Sequence, residues 1–118
     1  MKNFARLPLT AFVLTLFGVV LLCWSDGLRG QERAAIAITV KNKRFEPAEI
    51  RAPANRPLAL EVKNLDAGPI EFESFSLRVE KVIAPGSIGM MNVRALVPGR
   101  YEFFDDFHPE TRGVLIVQ

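Results

Sequence analysis

Cysteine and histidine are scarce in this chain, and their scarcity limits the chemistry available to it. The 118 residues include one cysteine, Cys23, and one histidine, His108. Because Cys23 lies within an apolar N-terminal run, the chain beyond it has no thiol for a disulfide, a zinc–cysteine site or a cysteine nucleophile. No Gly-x-Ser-x-Gly segment and no glycine-rich phosphate loop occur either, which argues against a serine hydrolase and a nucleotide-binding fold.

A basic excess is also missing outside residues 1–30. Three of the 15 basic residues and one of the 13 acidic residues lie in that segment, which leaves 12 of each sign beyond it. Binding to nucleic acid needs a basic patch that neutralises phosphates. The balance of charge beyond residue 30 therefore argues against a nucleic-acid partner and against a polybasic membrane surface.

Residues 1–30 have the design of an export signal. Lys2 and Arg6 precede an uncharged run, residues 7–25, and Gly27 and Gly30 are small residues suited to a cleavage site. An apolar run of this length is at the lower limit for spanning a bilayer, so a retained membrane anchor is the alternative. We expect an exported protein in which residues 31–118 form one domain.

Beyond residue 33, apolar and polar residues alternate in a series of short runs. Ile36, Ile38 and Val40 alternate with small or polar residues in "AIAITV", and the later runs follow the same period of two. The turn-forming segments "APANRP", "NLDAGP", "APGS" and "VPGR" separate these runs, and no stretch of ten residues has a helical period. The pattern predicts about seven or eight short antiparallel strands in a β-sandwich or a small barrel.

The segment "IEFES" predicts two carboxylates on one face of a strand. Successive side chains of a strand point to opposite faces. Glu71 and Glu73 therefore share one face, while Ile70 and Phe72 share the other and are expected in the core. The two carboxylates then point outward or toward one end of the sandwich, and an ordinary exposed strand is the alternative to a metal-binding role.

The segment "YEFFDDFHPETRGVLIV" gathers four potential metal ligands, Asp105, Asp106, His108 and Glu110, between two apolar halves. Asp105 and His108 are three residues apart where a strand gives way to a loop, so both side chains can approach one ion. Carboxylate and imidazole ligands suit iron, Cu(II), manganese or zinc. Asp106 is expected to point away from Asp105, and Glu110 is expected in a turn. A polar loop without metal is the alternative.

Two long segments resemble the cupredoxin family, over residues 36–118. They are "FEPAEIRAPANRPLALEVKNLD" and "VPGRYEFF" followed by "GVLIV". The resemblance implies a Greek-key β-sandwich. In blue-copper members the last loop supplies cysteine, histidine and methionine in turn; here Asp105 stands at the cysteine position, and His108 keeps the histidine position. The methionine position falls near Arg112 and the family's first histidine near Ile70. Without a thiolate, blue-copper electron transfer is not expected.

Three further segments, "PIEFES", "LRVEKVIAPG" and "YEFFDDFHP", together resemble the EfeO-type cupredoxin-like domains of bacterial ferrous iron uptake, especially the small FtrB-like periplasmic proteins. The resemblance implies binding of copper or iron, oxidation of Fe(II) before transport, and partnership with an iron permease and other periplasmic uptake components. The resemblance also implies that Asp105 and His108 are the critical pair for this chemistry. Glu71 and Glu73 match the glutamates of the family's Pro-x-Glu-Phe-Glu-Ser motif.

We therefore expect a metal site formed by Asp105, His108, Glu71 and Glu73, with copper or iron as the bound metal. Asp105 and His108 would also carry out any ferroxidase-type reaction. Met90 could add a thioether to a copper ion. Two alternatives stay open: a copper-binding or copper-delivery module without turnover, and a cupredoxin fold that has lost its metal and serves as an interaction domain.

Overall fold

The computed structural model describes residues 32–118, and these residues form nine β-strands without a helix. In chain order the strands are β1 (Ala34–Lys41), β2 (Arg44–Glu46), β3 (Glu49–Ala52), β4 (Leu58–Asn64), β5 (Ile70–Ser74), β6 (Val79–Ile83), β7 (Ile88–Val93), β8 (Gly99–Asp105) and β9 (His108–Val117). The described residues accordingly contain no helix long and apolar enough to cross a membrane. The expected signal segment, residues 1–30, lies outside the described residues.

The strands form two sheets, as expected for a sandwich. One sheet has the order β2-β1-β4-β7, and the other has the order β3-β9-β8-β5-β6. Most neighbours are antiparallel, but β1 pairs with β4 and β3 pairs with β9 in parallel. The number of strands exceeds the expected seven or eight because residues 44–52 form two strands, β2 and β3, which belong to different sheets. A cis Glu46–Pro47 peptide bond lies between them.

Alternating apolar side chains from both sheets fill the core. In β4 the inward residues Leu58, Leu60 and Val62 are fully buried, as the alternation in the sequence predicts. Three phenylalanines meet at the centre: the ring of Phe103 lies 4.9 Å from that of Phe45 and 5.1 Å from that of Phe72, centroid to centroid. Burial of each such ring contributes about 1.5–3 kcal/mol to folding.

Gly113 allows the last two strands to accommodate one of these rings. Gly113 lies opposite Phe103 in the register of β8 and β9. A Cβ atom at position 113 would lie 2.4 Å from the Phe103 ring and 2.9 Å from the carbonyl oxygen of Ala48. The glycine that begins "GVLIV" is therefore required by close packing of an aromatic ring against the neighbouring strand.

The connection between β8 and β9 is shorter than expected. β8 ends at Asp105 and β9 begins at His108, so only Asp106 and Phe107 form the turn, with Asp105 opposite His108. Asp105 also lies opposite Phe72 of β5, which places both side chains on the inner face of the sheet. Glu110, expected in a turn, lies within β9 and is exposed.

Candidate metal-binding site

Asp105 is a fully buried carboxylate whose two oxygens are both occupied by donors of the chain itself. Its Oδ1 atom accepts hydrogen bonds from the backbone N–H groups of Glu71 and Phe107, each at 3.0 Å. Its Oδ2 atom lies 2.8 Å from Nδ1 of His108. Asp105 therefore ties β5, the turn and the imidazole ring together, and the alternation of Tyr101, Phe103 and Asp105 is the sequence signal for its inward direction.

The contact with Asp105 decides which nitrogen of His108 is available. A carboxylate can only accept, so Nδ1 carries the hydrogen and donates it, which leaves the lone pair on Nε2. His108 is half-buried and lines a cavity of about 480 Å³. The other residues that line it are Asn42, Lys43, Asp66, Ala67, Gly68, Pro69 and Ile70. His108 thus offers a single oriented nitrogen ligand, supported in the manner typical of metal-binding histidines.

The buried side chain of Asn64 holds two of the residues that line this cavity, Asp66 and Gly68. Its Nδ2 atom donates to the carbonyl oxygens of Gly68 and Ile83, at 2.9 Å and 3.1 Å. Its Oδ1 atom accepts from the backbone N–H of Asp66 at 3.0 Å. These bonds join the segment between β4 and β5, which contributes to the lining of the cavity, to the end of β6.

The other two expected ligands, Glu71 and Glu73, lie on the outer face of the same sheet. Carboxylate oxygens of Glu71, Glu73 and Asp106 all lie within 4.8 Å of one another. The backbone N–H of Asp106 donates to the carbonyl oxygen of Glu71 at 2.8 Å, which holds the turn beside β5. Asp106 points away from Asp105, as expected. The structure therefore joins Glu71 and Glu73 to Asp106 and leaves Asp105 and His108 on the other side of the sheet.

A fourth carboxylate completes this group, since Glu80 of β6 lies directly opposite Glu73. We call Glu71, Glu73, Glu80 and Asp106 the acidic cluster. Contact with the Glu80 carboxyl group, partial burial and the nearby negative charges raise the pKa of Glu71 to about 7. Burial and the charges of Asp106 and Glu80 also raise the pKa of Glu73. Crowded carboxylates of this kind resist ionisation, and a bound cation would relieve their repulsion.

Within residues 32–118, no basic side chain forms an ion pair with the acidic cluster. The one ion pair found there joins His108 to Asp105. Sequence reasoning missed the participation of Glu80, because it depends on the register between β5 and β6. Met90, considered as a copper ligand, is exposed on β7 opposite Glu61. It lies in the other sheet and does not belong to the cluster.

The comparisons with known proteins agree with this architecture. The model of the cupredoxin-like domain family matches residues 13–117. The chain belongs to the cupredoxin-like domain family. An uncharacterized protein of Rickettsia prowazekii (strain Madrid E) is 36% identical over 83 residues, which cover 70% of this chain and 66% of that protein. The chain thus spans slightly less than two thirds of that relative's length.

Two solved structures share the fold. The metal-binding domain of the Cu(I)-exporting P-type ATPase CopA of Streptococcus pneumoniae D39, solved with Cu(I), has a TM-score of 0.62 and 16% identity, with coverage of 71% of this chain and 84% of that one. Reduced auracyanin of Roseiflexus castenholzii also has a TM-score of 0.62, with 17% identity and coverage of 75% and 99%. At 16–17% identity these structures show a shared fold.

The donor atoms of this chain do not fit a thiolate-bound blue-copper centre. Residues 32–118 contain no cysteine, and Asp105, which the sequence resemblance places at the cysteine position, already accepts three hydrogen bonds from the chain. What the structure offers instead is a group of carboxylate oxygens on one face and one imidazole nitrogen on the other. Such donors suit iron and Cu(II).

Proposed function

We propose that this chain is an exported protein of ferrous iron uptake, which binds Fe(II) as substrate at the acidic cluster and promotes its one-electron oxidation to Fe(III). The observation that carries the proposal is the convergence of Glu71, Glu73 and Asp106 oxygens within 4.8 Å, without an ion pair to a basic side chain in residues 32–118. The resemblance of its motifs to the EfeO-type and FtrB-like proteins supports the same assignment.

The charge of the acidic cluster suits this reaction. Each carboxylate stabilises a trivalent ion more than a divalent one, so the site favours the oxidised product. Iron loses one electron and the acceptor gains it. A copper ion held by Nε2 of His108 would supply a one-electron acceptor, and a redox protein is the other class of acceptor. The chain's own contribution is to hold the carboxylates together and to orient the imidazole.

Asp105 serves this function as a positioning residue. It fixes the tautomer of His108 through Oδ2 and joins the turn to β5 through Oδ1. Because the Glu71 backbone donates to Asp105 and the Glu71 side chain belongs to the acidic cluster, Asp105 connects the two groups of ligands directly. Its role as a direct ligand, suggested by the sequence, stays a prediction.

The proposed setting is the periplasm, with an iron permease and other periplasmic iron-uptake components as partners. The export-like residues 1–30 and the motif resemblance support this setting. A balanced formal charge beyond residue 30 is consistent with partners that are proteins and metal ions rather than nucleic acids.

A copper-binding or copper-delivery module without turnover is the second candidate. The observation that favours it is the oriented Nε2 atom of His108 at the edge of an open cavity, in a family related to copper-binding proteins. In this case copper would bind, and Fe(II) would not be consumed repeatedly.

Anaerobic titration with Fe(II), followed by measured oxidation after loading with Cu(II), tests the proposal. Glu73→Gln removes one carboxylate and should weaken Fe(II) binding at least about tenfold, because affinity for such ions follows the number of charged oxygen ligands. Glu61→Gln, on the outer face of the other sheet, is the matched control and should leave the affinity unchanged. Equal Fe(II) affinities of Glu73→Gln and Glu61→Gln would refute binding of Fe(II) at the acidic cluster.

The kinetic arm separates the two candidates. Under air, the copper-loaded protein should consume Fe(II) well beyond one equivalent if it acts as an oxidase. Consumption that stops at one equivalent, together with tight copper binding, would support the delivery module instead.

A further inference from the structure

A second cleft lies on the outer face of the five-stranded sheet, beyond the acidic cluster. Its volume is about 580 Å³, and it is lined by Phe75, Ser76, Arg100, Glu102, Phe104 and Arg112. The register places Glu73, Phe104 and Arg112 in one row across β5, β8 and β9. The cleft therefore adjoins the acidic cluster but is formed by different residues, and we call it the aromatic–arginine cleft.

Phe75 is exposed in this cleft although its backbone is firmly held. Its side chain is 77% exposed, the largest exposure among the large apolar residues described. The preceding residue, Ser74, is buried; its hydroxyl donates to the carbonyl oxygen of Glu102 at 2.5 Å and accepts from the N–H of Leu77 at 3.2 Å. The anchored turn thus presents an aromatic ring to solvent.

Phe104 provides a second aromatic surface next to Phe75. The ring centroids lie 5.6 Å apart, with 55° between the planes, so the two rings form an open wedge. The guanidinium carbon of Arg112 lies over the Phe104 ring, 5.4 Å from its centroid, so this cation–π contact fixes the charged group beside the aromatic pair.

The guanidinium groups of the cleft have no polar partner among the residues that the structure describes. Within residues 32–118, Arg100 and Arg112 form no ion pair and donate no side-chain hydrogen bond to the protein. Arg51, by contrast, donates to the Gln118 side chain at 3.1 Å. Two arginines and Glu102 give the cleft one net positive charge, which matches a ligand with one negative charge.

We propose that the aromatic–arginine cleft binds a planar aromatic monocarboxylate. Its ring lies against Phe75 and Phe104, and its carboxylate accepts hydrogen bonds from Arg112 and Arg100. A guanidinium recognises a planar carboxylate through paired hydrogen bonds, and an aromatic wedge favours a flat ring over a puckered one. The proposal stands independently of metal binding at the acidic cluster.

Titration of the full domain with benzoate, followed by backbone amide NMR, tests this inference. Benzoate should cause saturable shifts centred on the amides of Phe75, Ser76 and Arg112, in the millimolar range expected for so small a ligand. Cyclohexanecarboxylate carries the same charge without a flat ring, and benzyl alcohol carries the ring without the charge. Each should bind at least about fivefold more weakly.

Two substitutions locate the site. Arg112→Gln should weaken benzoate binding at least about tenfold, since it removes a charge-assisted pair of hydrogen bonds. Arg51→Gln is the control on the same sheet, and it should bind benzoate as the parent does. Phe75→Leu keeps apolar bulk but removes the ring, and Phe107→Leu is its control at another exposed phenylalanine.

Several results would overturn the inference. Shifts that grow without saturation, equal binding of cyclohexanecarboxylate, or equal losses in Arg51→Gln and Arg112→Gln would each refute it. Fe(II) titration of Arg112→Gln keeps the two proposals distinguishable, because this variant should retain the parent's affinity for metal.

Discussion

Replacement of Asp105 by asparagine tests how this buried residue controls His108. Asparagine has nearly the same shape, and its Oδ1 atom can still accept from the N–H groups of Glu71 and Phe107. Its amide nitrogen, however, donates where Oδ2 of Asp105 accepts from Nδ1 of His108. The ring must then accept at Nδ1, which places the hydrogen on Nε2 and removes the lone pair that a metal needs.

The size of the effect follows from the hydrogen bonds involved. To bind a metal through Nε2, the ring of the variant must return its hydrogen to Nδ1, where it faces the donor amide. A buried donor left without an acceptor costs about 1–3 kcal/mol, which corresponds to roughly a five- to 150-fold loss of affinity. Substitutions beside metal-binding histidines typically weaken binding by about 10–100-fold, in agreement with this range.

The stability of the variant is expected to change much less than its affinity for metal. Exchange of a charge-assisted hydrogen bond for a neutral one should lower the free energy of unfolding by about 1 kcal/mol. Asp105→Ala is a poorer test, because it leaves two backbone N–H groups and His108 without their acceptor and should cost about 3–5 kcal/mol. The asparagine variant should therefore fold and permit measurement.

The assay combines calorimetric titration with Cu(II) and ¹⁵N NMR of the His108 imidazole. We expect the hydrogen on Nδ1 in the parent and on Nε2 in Asp105→Asn, together with copper binding weaker by about 10–100-fold. An unchanged tautomer with unchanged copper affinity would show that Asp105 does not orient the ring. A changed tautomer with unchanged affinity would show that Nε2 of His108 is not a ligand.

Three further predictions concern the metal-free protein. As the pH rises from about 4.5 to about 7, the raised pKa of Glu71 should lower the stability to urea, because the folded form loses a proton that it binds more tightly; Glu71→Gln should flatten this dependence. Gly113→Ala should lower the free energy of unfolding by about 1–3 kcal/mol through collision with Phe103, whereas Gly68→Ala, where a Cβ meets nothing within 4 Å, should not. Asn64→Ala should cost about 2–4 kcal/mol in thermal unfolding, since three buried hydrogen bonds are lost. The first prediction would be contradicted by a stability that does not change with pH, and the second by equal stabilities of Gly113→Ala and Gly68→Ala. An unchanged melting temperature of Asn64→Ala would contradict the third.

Local alternation in the sequence identified much of the fold. It placed Ile70 and Phe72 in the core and Glu71 and Glu73 together on the opposite face, and the structure confirms both. It also indicated the sandwich, because turn signals occur at regular spacing between the runs. These features depend only on the alternation of side chains along a single strand, which is visible in the sequence itself.

The composition of the candidate site depended on pairing between strands that are distant in sequence. Glu80 joins the acidic cluster because β6 lies beside β5 with Glu80 opposite Glu73. Asp105 lies apart from Glu71 and Glu73 because its register with Phe72 places its side chain on the inner face, where three donors of the chain contact it. Register between strands is set by packing over the whole sheet, so local alternation does not determine it.

The short strands β2 and β3 illustrate a similar limit. Their residues read as one Phe-x-Pro segment, but the chain changes sheets at Pro47, so Phe45 packs in one sheet and Ile50 in the other. A change of sheet is a property of the completed sandwich, and the local pattern contains no signal that separates it from one continuous strand.

Paramagnetic broadening by Mn(II), used as a stand-in for Fe(II), tests the central claim most directly. If the acidic cluster is the metal site, substoichiometric Mn(II) should broaden the amide signals of Glu71, Glu73, Glu80 and Asp106 first, and Glu73→Gln should reduce this broadening while Glu61→Gln should not. Broadening spread evenly over the exposed carboxylates, or unaffected by Glu73→Gln, would contradict the claim that these carboxylates form a metal-binding site.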